Sequence, residues 1–287
     1  MAFNFKEPSA ALRALTGLFL GFLALQAAAK PIGDPKLKSS SVLIMDQSDS
    51  SVLYSRHSDV AMPIASITKL MTALVVLDAK QPLDEPLQIT DADRNLPKGG
   101  FSRLAVGTTL SRGDLMHLAL MSSENRAAHA LGNNYPGGMP AMVAAMNAKA
   151  QALGMTSTHF VDPTGLSSQN VASPEDLSKL VIAAARNPSI REYSTDKRYA
   201  VKIRRRMVEF RNTDNLVANP TWNIIVQKTG YIAEAGKCLV MSAVIEGRSV
   251  VIVLLDSFGK YTRVADAKRI KTWMEARANE RVRVSMR

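Results

Sequence analysis

The chain predicts an α/β fold in which one antiparallel sheet, flanked by helices, is assembled from both ends of the sequence. A mainly helical segment is inserted between the two contributions. Strand-like runs at residues 41–45 and 51–54 stand near the start, and three more at 222–227, 236–246 and 249–256 lie toward the end. Between them the apolar residues recur at helical spacing. With 287 residues and a 46% hydrophobic fraction, the chain can bury one large core or two subdomains. The expected division is an export segment at 1–29, a sheet subdomain from 30–81 with 191–287, and a helical subdomain at 82–190.

The first two strands are separated by Asp46-Gln47-Ser48-Asp49-Ser50, which reads as a hairpin connection. After Pro63, Ile67, Leu70, Met71, Leu74 and Leu77 mark a helix that opens at Ser66. Ser111 with Asp114 forms a capping box ahead of Leu115 and Leu118. Residues 140–153 are rich in Ala and Met, which favours helix. Ser173-Pro174-Glu175-Asp176 supplies an N-cap, a Pro at the first helical position and early acidic residues, with Leu177, Leu180, Val181 and Ala184 on the buried face. Near Tyr193 the pattern changes. Tyr199-Val201-Ile203 and Val208-Phe210 alternate as a hairpin whose other face is basic. Glu246-Gly247-Arg248 turns between the last two strands, and a helix at 262–278 offers Val264, Ala267, Ile270 and Met274 to the sheet.

Lys6 and Arg13 precede an apolar run at residues 14–25 that leads into Ala27-Ala28-Ala29. This is the layout of a cleaved export signal, with cleavage expected after Ala29. The run is shorter than the roughly 20 residues a membrane-spanning helix needs. Cys238 is the only cysteine, so no internal disulfide can form, and its apolar neighbours point to inert packing. His57, His117, His129 and His159 lack metal-ligand spacing, so no metal and no cofactor are expected. The net charge of +11 concentrates around Lys202-Arg204-Arg205-Arg206 and in the C-terminal segment. It is read as a solvated surface with loose attraction to membrane or anionic wall polymer. No motif and little aromatic content support nucleic-acid binding.

Three short motifs follow one another: Ser66-Ile67-Thr68-Lys69, Ser123-Glu124-Asn125 and Lys228-Thr229-Gly230. They supply an activatable hydroxyl, an amine to take its proton, a relay hydroxyl, an amide and a second cation, which is an inventory for acyl transfer. Each alone is weak, because Ser194-Lys197 and Ser257-Lys260 repeat the S-x-x-K spacing and Ser168-Asn170 repeats S-x-N. Ser66 is set apart by opening an amphipathic helix, where residues three apart share a face. Ser66 is thus the candidate nucleophile and Lys69 its base. A solvated lysine titrates near 10.4, so the mechanism requires Lys69 to be lowered by roughly 2–4 pH units. Partial burial and the charge of Lys228 are the expected causes. Ser123 is the candidate proton relay, with Asn125, Lys228, Thr229 and Gly230 binding substrate.

The chain resembles the penicillin-binding D-alanyl-D-alanine peptidases, most closely their penicillin-binding protein 7 type endopeptidases. Beyond the three motifs, the segments Leu104-Ala105-Val106-Gly107-Thr108-Thr109-Leu110-Ser111, Met121 to Ala128 and Phe160-Val161-Asp162-Pro163-Thr164-Gly165-Leu166 carry the likeness. The resemblance implies a β-lactamase/penicillin-binding-protein-like fold with the site between its two parts. It also implies an oxyanion hole from the backbone N–H groups of Ser66 and Tyr231. The implied partners are peptidoglycan stem peptides, with β-lactams as covalent inhibitors, and the implied compartment is the periplasm.

Three hydrolases share this acylation chemistry. No E-x-x-L-N stretch follows Ser123 to speed deacylation as in class A β-lactamases, and Glu175 belongs to a helix start. Carboxypeptidase relatives generally carry a further C-terminal β domain, for which the chain has no room after its last helix. By that resemblance the expectation is an endopeptidase cleaving D-alanyl–meso-diaminopimelate cross-links. A D,D-carboxypeptidase removing terminal D-Ala, or a catalytically poor peptidoglycan-binding protein, are the alternatives.

Overall fold

The computed structural model describes Met1, residues 32–94, Leu96 and residues 102–285. The export signal and its cleavage position lie outside the described residues. In chain order, β1 (Ser39–Asp46) and β2 (Val52–Arg56) form the first hairpin. β3 (Met62–Pro63) leads into a single 3₁₀ turn, Ala65–Ile67, and then α1 (Thr68–Asp78). The middle of the chain holds β4 (Pro86–Gln88), β5 (Thr109–Ser111), α2 (Arg112–Met121), α3 (Asn125–Asn133), α4 (Gly138–Ala152), β6 (Val171–Ala172), α5 (Pro174–Ala185) and α6 (Pro188–Thr195). A basic hairpin follows, β7 (Arg198–Ile203) with β8 (Arg206–Arg211). The chain then completes the main sheet with β9 (Asn223–Ile232), β10 (Gly236–Ile245) and β11 (Arg248–Ser257), and ends in α7 (Thr262–Ser285).

The five-stranded sheet has the order β2-β1-β11-β10-β9 and is antiparallel throughout. The first and last parts of the sequence therefore meet at the β1–β11 seam, where Leu43 pairs with Val253 and Ile44 with Ile252. Successive residues of β11 from Val250 to Leu255 are all buried, so both faces of the sheet centre are covered. α5 and α7 pack on this centre. Asp266 of α7 ties helix to sheet: one of its carboxylate oxygens accepts from the Ser39 amide (2.7 Å) and the Ser39 hydroxyl (2.7 Å).

Both helix starts read from the sequence are formed. The Ser111 hydroxyl accepts from the Asp114 amide while Asp114 accepts from the Ser111 amide, and the Ser173 hydroxyl accepts from the Asp176 amide. α1 departs from a one-faced pattern. Thr68 to Val76 are buried without interruption, so the helix runs through the interior between α2, α3, α4 and α5. β9 runs five residues beyond the apolar stretch that ends at Gln227. Lys228 and Gly230 have poor strand propensity, yet β10 pairs Lys228 with Val240, Thr229 with Leu239 and Gly230 with Cys238. That extension places the third motif on the sheet's edge strand, beside the 3₁₀ turn that carries Ser66.

Candidate active site

Ser66 sits in the 3₁₀ turn and Lys69 in the first turn of α1, and the helical spacing brings their side chains together. The Lys69 Nζ lies 2.8 Å from Ser66 Oγ, 2.7 Å from Asn125 Oδ1 and 2.6 Å from the Thr164 carbonyl oxygen. Lys69 is wholly buried. Burial lowers its ammonium from the ordinary lysine value to about 7, with the carboxylates of Asp162 and Glu124 pulling partly the other way. Repulsion between the two amines acts on the pair: Lys228 is held well below the lysine range by burial first and then by Lys69 and Arg263, against the pull of Asp214.

The carbonyl that meets Lys69 belongs to a loop fixed from within. Asp162 Oδ1 accepts from the Thr164 amide (2.6 Å), the Thr164 hydroxyl (2.5 Å) and the Gly165 amide (2.8 Å). The buried Asn170 accepts from the Val161 amide and donates to the Asp162 carbonyl and to Thr68 Oγ1. Thr72 of α1 donates to the Pro163 carbonyl. Gly165 has φ +77°, and a Cβ there would lie 1.9 Å from the Ala65 carbonyl oxygen, so only glycine fits.

Ser123 and Asn125 bracket the start of α3. Glu124 is the helix N-cap, accepting from the Arg126 amide, and is buried rather than a surface charge. Burial raises its carboxyl above the usual range. Ser123 is half-buried, in the left-handed region at φ +60°, and Ala65, immediately before Ser66, is there too at φ +49°. Each such non-glycine position costs about 1–3 kcal/mol, and such strain concentrates at functional sites. The Ser123 hydroxyl is not among the three acceptors of Lys69, and Lys228 donates to the Thr229 carbonyl (2.9 Å).

On β9, Lys228 is wholly buried and Thr229 nearly so, with Thr229 Oγ1 2.6 Å from Thr213 Oγ1. Gly230 passes close to the nucleophile: a Cβ there would lie 2.9 Å from the Ile64 carbonyl oxygen and 3.1 Å from Ser66 N. The Ser66 amide and the Gly230–Tyr231 edge thus share one rim, while the Tyr231 side chain points outward, 59% exposed. Arg263 of α7 donates to the Gly230 carbonyl (2.8 Å), stiffening that edge from behind.

Sequence reasoning missed Thr164, Asp162, Thr213, Asp214 and Arg263. The segment from Phe160 to Leu166 carried likeness, but Thr164 acts through its backbone carbonyl, which no residue type announces. The competing serines are structural. Ser194 is buried in α6 and donates to the Arg191 carbonyl, and Ser257 Oγ lies 2.6 Å from Ser39 Oγ. Cys238 is buried and its thiol is pushed up to about 11 by burial, away from thiolate chemistry. Among the described residues, no group of three or more His, Cys, Asp or Glu could hold a metal ion. No helix of the described residues is long and apolar enough to cross a membrane.

A serine hydroxyl against a buried, easily neutralised amine, in a turn pressed to a sheet edge, defines a serine-type hydrolase. The comparisons agree. The family described as D-alanyl-D-alanine carboxypeptidase matches residues 26–259. The chain is 52% identical over 242 residues to a D-alanyl-D-alanine endopeptidase of Pseudomonas aeruginosa, covering 84% of this chain and 78% of that one. It is 48% identical over 255 residues to a D-alanyl-D-alanine endopeptidase of Escherichia coli K12, covering 88% and 82%. The crystal structure of the Streptomyces K15 DD-transpeptidase superposes with a TM-score of 0.80 at 28% identity, over 85% of this chain and all of that one. The chain belongs to the D-alanyl-D-alanine carboxypeptidase family of serine peptidases.

Proposed function

We propose that this protein is a D,D-endopeptidase that cleaves D-alanyl–meso-diaminopimelate cross-links of peptidoglycan through an acyl-enzyme and is inhibited covalently by penicillin. The observation that carries the mechanism is the set of three acceptors around Lys69. A neutral amine has two N–H donors and one lone pair. Asn125 Oδ1 and the Thr164 carbonyl take the two donors, which leaves the lone pair facing Ser66 Oγ. Ser66 gives its proton to Lys69 as it attacks the peptide carbonyl. The Ser66 and Tyr231 amides hold the oxyanion; one such donor is worth about 3–4 kcal/mol of barrier. Ser123 relays the proton to the departing amine. Asn125, Thr229 and Gly230 hold the substrate backbone, and a substrate carboxylate arriving at Lys228 favours that lysine's charged form. Water then releases the acyl group.

The endopeptidase reading is supported by the names of the relatives at 52% and 48% identity. The family description favours the second reading, a carboxypeptidase removing terminal D-Ala. Purified protein given defined muropeptide dimers should yield monomers; intact dimers beside released D-Ala mean a carboxypeptidase. Ser66→Ala should abolish covalent labelling by penicillin, and retained labelling would move the nucleophile elsewhere. We also infer export to the periplasm with cleavage after Ala29, supported by the basic and apolar pattern of the first 29 residues. The chain is further read as a sheet part, 30–81 with 191–287, and a helical part, 82–190, with α6 carrying the chain across the later junction.

A further inference from the structure

Beside the S-E-N turn lies a cavity of about 300 Å³ lined by Glu124 of that turn and by Arg103, Ser122, Glu209, Phe210 and Arg211, which belong to none of the three motifs. Two of these residues flank Ser123 directly. The opposite wall is the end of β8, and two residues beyond it Thr213 touches Thr229. The cavity therefore borders the groove on the side of the relay serine, where the amine departs. Its guanidiniums are held differently. Arg103 donates to the Glu209 carbonyl (2.7 Å) and lies 3.9 Å from the centre of the Phe210 ring, two contacts that fix the group without cancelling its charge. Arg211 leans its Nε on the Glu209 carboxylate (3.2 Å), with its side chain 71% exposed. Glu124 turns inward, capping α3 through the Arg126 amide. The Glu209 carboxylate also lines this wall, shared between Arg211 and Arg198 (3.4 Å), so the charge offered to a ligand comes from Arg103, whose guanidinium has no carboxylate partner among the described residues, with Arg211 beside it.

We propose that this cavity is a leaving-group subsite in which Arg103 and Arg211 bind a carboxylate of the departing peptide, so that it favours cross-link cleavage over removal of a single amino acid. The proposal rests on the endopeptidase reading. A departing alanine brings one carboxylate, next to the broken bond, which Lys228 and Thr229 are placed to receive. A departing stem peptide brings further carboxylates beyond that one, and a fixed guanidinium pairs with a carboxylate in forked geometry.

The test compares kcat/KM on a cross-linked muropeptide dimer with the rate constant for acylation by benzylpenicillin, from which no peptide departs. Arg103→Met and, separately, the surface change Arg211→Ala should each lower the ratio of the two about tenfold, the scale of one charge-assisted hydrogen bond. A dimer amidated only at the leaving-side carboxylates beyond the one beside the scissile bond should be cut by the wild type at least about tenfold more slowly, and by both variants at the same rate as by the wild type. An unchanged ratio in both variants overturns the subsite, as does an amidated dimer that remains sensitive to the substitutions. A wild type that reacts with penicillin but leaves dimers intact overturns the endopeptidase reading itself, and the subsite with it.

Discussion

A lysine side chain serves as a base only after losing its proton, and at Lys69 burial is the main cause of that loss. Burial brings it to about 7, where about half the molecules carry the free amine at neutral pH. The sign of the pH dependence follows. Below that value Lys69 is an ammonium and has no lone pair for Ser66, so acylation falls as the pH falls. Stopped-flow acylation by a fluorescent penicillin should rise with a midpoint near 7 and be about a hundredfold slower at pH 5 than on the alkaline plateau. A midpoint near 10 would mean that Lys69 keeps an ordinary lysine pKa and is not primed by burial. At this scale the sequence was informative where chemistry resides in side chains. Ser66, Lys69 and Asn125 come from two of the three motifs and meet within hydrogen-bonding distance. Thr164 was not legible, because its contribution is a backbone carbonyl. Arg263 was not legible either, because it approaches the third motif only through the packing of α7 against β10.

Two glycines let separate elements converge on the 3₁₀ turn, one from the Asp162 loop and one from β9. Gly165 is the tighter, with left-handed backbone and no room for a Cβ against Ala65. Gly165→Ala should displace the Thr164 carbonyl from Lys69 and slow penicillin acylation about a hundredfold, since a misplacement near 1 Å carries that penalty. Gly107→Ala is the control, because Gly107 shares the left-handed φ (+81°) but has nothing within 4 Å of a Cβ. It should lose some stability and keep its acylation rate; equal slowing in both would assign the effect to backbone strain alone. The central strands and the capped helices were readable because apolar runs and cap residues determine them locally. The second half of β9 was not, since pairing with β10 overrides the weak propensity of Lys228 and Gly230. The short β3–β6 and β4–β5 pairs are not legible for a different reason: two or three residues carry no period to read.

At the scale of the molecule, the site is a burden that the rest of the core must offset. Net stabilities of domains are about 5–15 kcal/mol, and among the described residues Lys69 and Lys228 are wholly buried. Lys69 falls from near 10.5 in the unfolded chain to about 7 in the folded one, so the unfolded chain binds the extra proton between those values. Stability therefore rises with pH across that window. Below about pH 7 the penalty is complete, on the order of 5 kcal/mol, and above about 10.5 it vanishes. The compensation lies in the unbroken burial of α1 and the covered centre of the sheet, which hold the amine where water cannot follow. Lys69→Met removes the titration and leaves the Asn125 and Thr164 oxygens without their donor, a penalty of about 1–3 kcal/mol each that does not vary with pH. Denaturant unfolding of both proteins at pH 6 and pH 10 isolates the pH-dependent part. Between these conditions the stability difference should move by about 4 kcal/mol in favour of the wild type. A difference constant across that range would show that Lys69 keeps an ordinary pKa when folded, and it would contradict the acylation profile by a measurement that involves no substrate.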